Sequence, residues 1–181
     1  MHPLTLLSFL SIGDTAAGKE DVLKWVATFP FDGCIRDDFT SLFAHLQSLN
    51  ITDVSSLGFC WGAWAFAKAN EQGFKFSSCV AAHPSVKLEE FSFGRDQTDM
   101  LSNMTCPSLF MVAGNDDELL REGGKYGDIV IGKGGEVVLF EDMSHGWMSR
   151  GDISDSSVQR DVEKGWGLAL AFLKKHAALG N

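Results

Sequence analysis

Downstream of residue 36 the chain alternates between apolar residues at helical spacing and short uninterrupted apolar runs. DDFTSLFAHLQSLN places Phe39, Leu42, Phe43, Leu46 and Leu49 on one helical stripe, with Asp37 or Asp38 positioned to cap it. Val54 to Phe59 reads as a short strand. From Trp61 to Ala69 the residues are Trp, Ala and Phe on nearly every side, the pattern of a helix buried in the middle of a domain. FSSCVAA (Phe76 to Ala82) predicts a second buried strand, PSLFMVAG (Pro107 to Gly114) a third and EVVLF (Glu136 to Phe140) a fourth. Leu119 to Ile131 predicts a glycine-interrupted helix. A long terminal helix opens at Ser154, with Val158, Val162, Trp166, Ala169 and Leu173 at helical spacing.

Helices alternating with buried strands imply a parallel sheet between helix layers, an α/β fold of three layers, α/β/α. No internal repeat or low-complexity stretch interrupts it. At the N-terminus, HPLTLLSFLSI is apolar but follows no Lys or Arg, which makes it a poor signal peptide, and it is too short to span a bilayer. Residues 1–36 are therefore expected to be an irregular or remnant segment of a single domain covering 1–181.

The 181 residues suffice for one sizeable core, and 45% hydrophobic with 22% charged residues is typical of a soluble globular chain. The formal net charge of −9 argues against nucleic acid or an anionic membrane as partner. Cys34, Cys60, Cys79 and Cys106 have no metal-type spacing, and no metal or cofactor is expected. Cys79 and Cys106 read as small buried hydrophobes, and a reduced, cytoplasmic setting is the simplest account.

Chemistry concentrates where the predicted strands end. Cys60, Asp116 and His145 each follow a different strand, at the carboxyl edge where parallel sheets form sites. Cys60 stands in Gly58-Phe59-Cys60-Trp61-Gly62, a G-x-S-x-G nucleophile elbow with cysteine for serine. In such a strand-to-helix turn the glycines let helix and strand approach, and the helix start favours thiolate over thiol. The competing reading is a buried cysteine whose glycines merely ease packing. His145 lies in the polar loop DMSHGWMSRGD, whereas His45 and His176 fall on helices and read as solvent or cap residues. Asp116 and Asp117 are adjacent, and spacing does not separate a residue that orients the imidazole from a solvated or capping carboxylate.

GFCWGAWA, AAHPS, VAGNDDE and MSHGWMSRGD, in that order, resemble the dienelactone hydrolase (carboxymethylenebutenolidase) family of α/β-hydrolases. The likeness runs from the helix at Asp37 to the terminal helix. It implies a parallel-stranded α/β-hydrolase fold and hydrolysis of a small carboxylic ester or lactone through an acyl-enzyme. It matches Cys60 to the nucleophile, His145 to the general base and Asp116, rather than Asp117, to the acid. The Trp61 backbone N–H becomes half of an oxyanion hole. Arg150 is expected either to hold a substrate carboxylate or to be an exposed arginine facing Asp152 or solvent. His83 is expected either to line the pocket or to be a turn residue ahead of Pro84. Trp61, Trp64 and Trp147 fit an apolar pocket wall and core packing equally well.

The chain departs from the family pattern ahead of Asp37, where members carry further strands and the second oxyanion N–H. Only 36 residues precede Asp37 here, which implies an N-terminally shortened sheet with one edge open. A homo-oligomer or a partner protein would cover such an edge. The alternative function is then a catalytically inactive binding protein on a hydrolase scaffold.

Overall fold

The computed structural model describes residues 16–177. The apolar run at residues 2–12 lies outside them. Helix α1 (Ala16–Ala27) leads through an irregular turn at Phe31–Ile35 into α2 (Arg36–Ser48). Then follow β1 (Ser55–Phe59), α3 (Trp61–Glu71), β2 (Ser78–Ala82), α4 (Leu88–Phe91) and α5 (Gln97–Asn103). After β3 (Ser108–Ala113) a 3-10 turn at Glu118–Leu120 precedes α6 (Lys125–Gly132), β4 (Glu136–Phe140), α7 (Trp147–Arg150) and α8 (Ser156–His176).

The four strands pair in the order β1-β2-β3-β4, all parallel. Every residue of β2 and β3 is buried, as their uninterrupted apolar runs require of central strands covered on both faces. Their side chains alternate between two cores. Cys79, Ala81, Phe110 and Val112 face the helices α1 to α6, packing with Val26, Phe39, Trp64, Met100 and Val130. Val80, Ala82, Leu109, Met111 and Ala113 face α7 and α8, against Trp147, Ala169 and Phe172. This is the three-layer α/β arrangement, with α3 at the middle of one layer. Among the described residues no helix is long and apolar enough to cross a membrane.

Several local expectations are corrected. The described part of the N-terminal segment expected to be irregular contains α1, whose Val22, Leu23 and Val26 sit against the core. The α2 helix begins at Arg36 after Ile35 without a side-chain cap, so Asp37 and Asp38 occupy its first turn instead of capping it. Its stripe is only partly covered: Phe39 is buried, while Leu42 and Leu49 are exposed. The terminal helix starts at Ser156, because the Asp155 side chain accepts the Ser157 N–H. Its buried face runs through Asp161, Gly165, Ala169 and Phe172, leaving Trp166 exposed.

The link between β2 and β3 holds α4 and α5, which the chain's periodicity did not announce. A buried carboxylate anchors it. Glu89 on α4 is 1% exposed and accepts hydrogen bonds from Trp64 Nε1 (2.7 Å), Lys68 Nζ (2.8 Å) and Arg95 Nε (2.7 Å). Burial alone would raise the Glu89 carboxyl, but Arg95, Lys68 and Trp64 hold it below the usual carboxylate range. The charge is thus fully compensated, and it ties the segment after β2 to α3. Removing one partner strands the others, so Glu89→Ala should destabilise the fold by about 3 kcal/mol, read as a lowered urea midpoint.

Candidate active site

Cys60 is the single residue between β1 and α3. Its backbone is at φ 52°, ψ −117°, a left-handed-side conformation that is costly for a residue with a Cβ. Three backbone hydrogen bonds impose it. Cys60 N–H donates to Ala82 C=O (3.1 Å), while its own C=O accepts from Ala63 (3.1 Å) and Ser85 (3.2 Å). The side chain is thereby turned out of the sheet at the start of α3, where the Trp61 N–H contributes to lowering the thiol.

The two flanking glycines are not equivalent. A Cβ at Gly58 would lie 2.6 Å from Ala63 N and 2.7 Å from the Gly62 carbonyl, so this position must be bare for α3 to start where it does. A Cβ at Gly62 would meet nothing within 4 Å. The expectation that both must be small is corrected: only Gly58 is required by contact.

A second close approach assembles the opposite side. A Cβ at Gly114, just past β3, would lie 1.9 Å from the Glu141 carbonyl oxygen, and Gly114 N–H donates to Met143 C=O (2.9 Å). The loop bearing Asp116 therefore lies directly against the loop bearing His145. Asn115 Oδ1 accepts the His145 backbone N–H (2.6 Å), and His145 Nδ1–H donates to Asp116 Oδ1 (2.6 Å). Asp116 Oδ2 in turn accepts the Ala113 N–H (2.8 Å). An ionised carboxylate only accepts, so this contact fixes the proton on Nδ1 and turns Nε2 toward Cys60. Asp117 takes the other role weighed for the pair, accepting the Leu119 N–H (3.0 Å) to cap the 3-10 turn.

Burial would raise the Cys60 thiol, but hydrogen bonding and Coulomb attraction from His145, then the Ser85 hydroxyl and Trp61 N–H, bring it below its ordinary value. For His145, burial alone would lower the imidazole; Asp116 and Cys60 more than offset this and raise it to about 9. The two shifts favour one state, thiolate beside imidazolium.

His83, at the end of β2, is 0% exposed and offers no surface for a ligand, which corrects its place as a pocket-lining residue. Its ring packs edge-on against His145 at 4.9 Å, and burial, then the His145 charge, depresses it to about 4. Trp64 and Trp147 are likewise core residues: Trp64 is fully buried, and Trp147 packs on Phe140 at 4.3 Å. Arg150 is exposed, with its guanidinium folded back over Gly146 beside His145. Among the described residues no cluster of His, Cys, Asp and Glu is suited to hold a metal ion.

Ser85 and Asn115 were not singled out in the sequence. Ser85 follows β2, the neighbour of β1, and the pairing of those strands is the signal that would have placed it beside the elbow.

Gly58→Ala should cost about 2–3 kcal/mol, because backbone cannot move aside as a side-chain tip does. Gly62→Ala should stay within about 0.5 kcal/mol of the parent. Paired chemical denaturation curves check both.

The model of the dienelactone hydrolase family matches residues 14–177 of the chain. None of the curated proteins compared with it matches.

Proposed function

Since the chain belongs to the dienelactone hydrolase family, which supports a hydrolase of esters or lactones, we propose that it cleaves small carboxylic esters or lactones with Cys60 as nucleophile. His145 serves as acid and base, and Asp116 holds its ring. The observation that carries this reading is the continuous set of contacts from the strained elbow cysteine to a carboxylate-held imidazole.

The thiolate of Cys60 adds to the substrate carbonyl, and the Trp61 N–H stabilises the resulting oxyanion as one donor of its hole. Collapse expels the alkoxide, which takes the proton of His145 Nε2 and leaves a thioester on Cys60. His145, now neutral, removes a proton from water as it attacks the thioester. The acid departs, and the regenerated thiolate faces the reprotonated imidazole. In a lactone the expelled alkoxide remains attached to the acyl group and leaves with it. Arg150, exposed and with its guanidinium over Gly146 next to His145, favours a substrate carrying a carboxylate.

A second reading, a silent scaffold that binds a partner, is favoured by the apolar surface beside β1, the outer strand among the described residues. There Phe59 meets Trp166 at 6.0 Å, and Trp166 and Leu170 are exposed. It predicts no thiol-dependent turnover.

Hydrolysis of an activated aryl ester such as p-nitrophenyl acetate separates the two. Cys60→Ala and Cys60→Ser should each lower kcat/KM by about 10²-fold or more; rates equal to the parent in both variants would remove the nucleophile assignment. The ion pair exists above the pKa of the thiol and below that of the imidazole. The parent rate should therefore fall on the alkaline side as His145 loses its proton near pH 9.

A further inference from the structure

The Ser85 hydroxyl stands between the two reacting groups. Its Oγ is 3.3 Å from Cys60 Sγ and 3.4 Å from His145 Nε2. We infer that Ser85 is a fourth member of the site, its hydroxyl bridging thiol and imidazole, holding their alignment and carrying the proton between them. The inference rests on the reading of Cys60 and His145 as a reacting pair.

The position of Ser85 is set independently of any catalytic role. Its N–H donates to the Cys60 C=O (3.2 Å), tying it to the elbow itself. Its C=O accepts the Leu88 N–H (3.0 Å) at the start of α4, and Glu89 beside it is anchored to Trp64 and Lys68 of α3. Pro84 restricts the backbone just before it. The residue is 9% exposed, so bulk water competes little for its hydrogen bonds. A hydroxyl has one donor and two acceptor positions, which suits both protonation states of the pair. With the thiolate and imidazolium it donates to sulfur and accepts from Nε2–H. With the thiol and neutral imidazole it accepts from S–H and donates to Nε2. Passing between these states, the Sγ proton goes to Oγ while the Oγ proton goes to Nε2. Serine ends unchanged, and one proton has moved from sulfur to nitrogen.

The other titratable or charged groups around this pair are Asp116 against the far side of the His145 ring, His83 packed on its edge and Arg150 beside Gly146. None of them lies on the bridge, so its loss should be read at the thiol.

The test is the pH dependence of Cys60 alkylation by iodoacetamide, followed by mass spectrometry of the peptide that carries it. Parent, Ser85→Ala and Ser85→Thr are compared, with Cys34 as the internal reference for reagent and pH. Loss of one hydrogen bond to the thiolate should raise the Cys60 midpoint in Ser85→Ala by about one pH unit, and slow labelling below that midpoint about tenfold. Ser85→Thr, which keeps the hydroxyl, should retain the parent midpoint. A merely structural role would alter folding or accessibility without moving the midpoint. If the parent midpoint lies below that of a small-molecule thiol yet is unchanged in Ser85→Ala, or Ser85→Thr shifts as far as Ser85→Ala, the role of Ser85 is overturned alone. A parent Cys60 that titrates like a small-molecule thiol would overturn the reacting pair, and the bridge with it.

Discussion

No Cβ fits at position 58, because the first turn of α3 already occupies that space: Ala63 N and the Gly62 carbonyl would lie within 2.7 Å of it. This contact closes the strand-to-helix turn. With no residue but Cys60 left to make the turn, the backbone takes φ 52° there, and hydrogen bonds to Ala82, Ala63 and Ser85 hold the strain in place. The stability of the buried layers around α3, with Trp64 at their centre, is what sustains a conformation unfavourable in isolation. Gly114 repeats the principle on the far side of the site, where backbone against backbone brings the acid loop onto the histidine loop. Two missing side chains thus determine where Cys60, Asp116 and His145 lie.

Electrostatics then differentiate groups that are chemically alike. His83 and His145 lie 4.9 Å apart, yet one is depressed to about 4 and the other raised to about 9. Both are penalised by burial. His145 alone has a carboxylate on one nitrogen and a thiol facing the other, whereas His83 feels mainly the charge of its neighbour. His83 is therefore held in its neutral form, and of the two rings only His145 has surroundings that favour a bound proton. The same contrast separates the cysteines: Cys79 and Cys106, 3.3 Å apart in the core, lack any such cation, and Cys79 is held well above its ordinary value by its hydrogen bond to Cys106 and by burial.

Much of this arrangement was legible in the residue pattern. Buried parallel strands announce themselves as apolar runs, and β4 falls at the residues expected because Glu136 to Phe140 is bounded by glycines and acids. The elbow was legible because it needs a glycine at a fixed offset from the turn residue, a local requirement. Asp116 could be separated from Asp117 by spacing no more than any adjacent pair can; their different hydrogen bonds depend on the turn that follows β3. Ser85 and Asn115 were invisible for a similar reason, since each acts on a residue 25 or 30 positions away. The α4 helix escaped because four residues carry too little periodicity, and what fixes it is the buried Glu89 cluster.

The proposed chemistry turns on one bond, a thioester formed between Cys60 and the acyl part of a substrate. Intact-mass measurement during turnover of a slowly released aryl ester, with peptide mapping of the acylated species, observes it directly. A single acyl group on the peptide containing Cys60, gained and lost at the rate of product release, is the predicted result. Steady turnover with the acyl group on another residue, or with no covalent species during a burst of product, would contradict it.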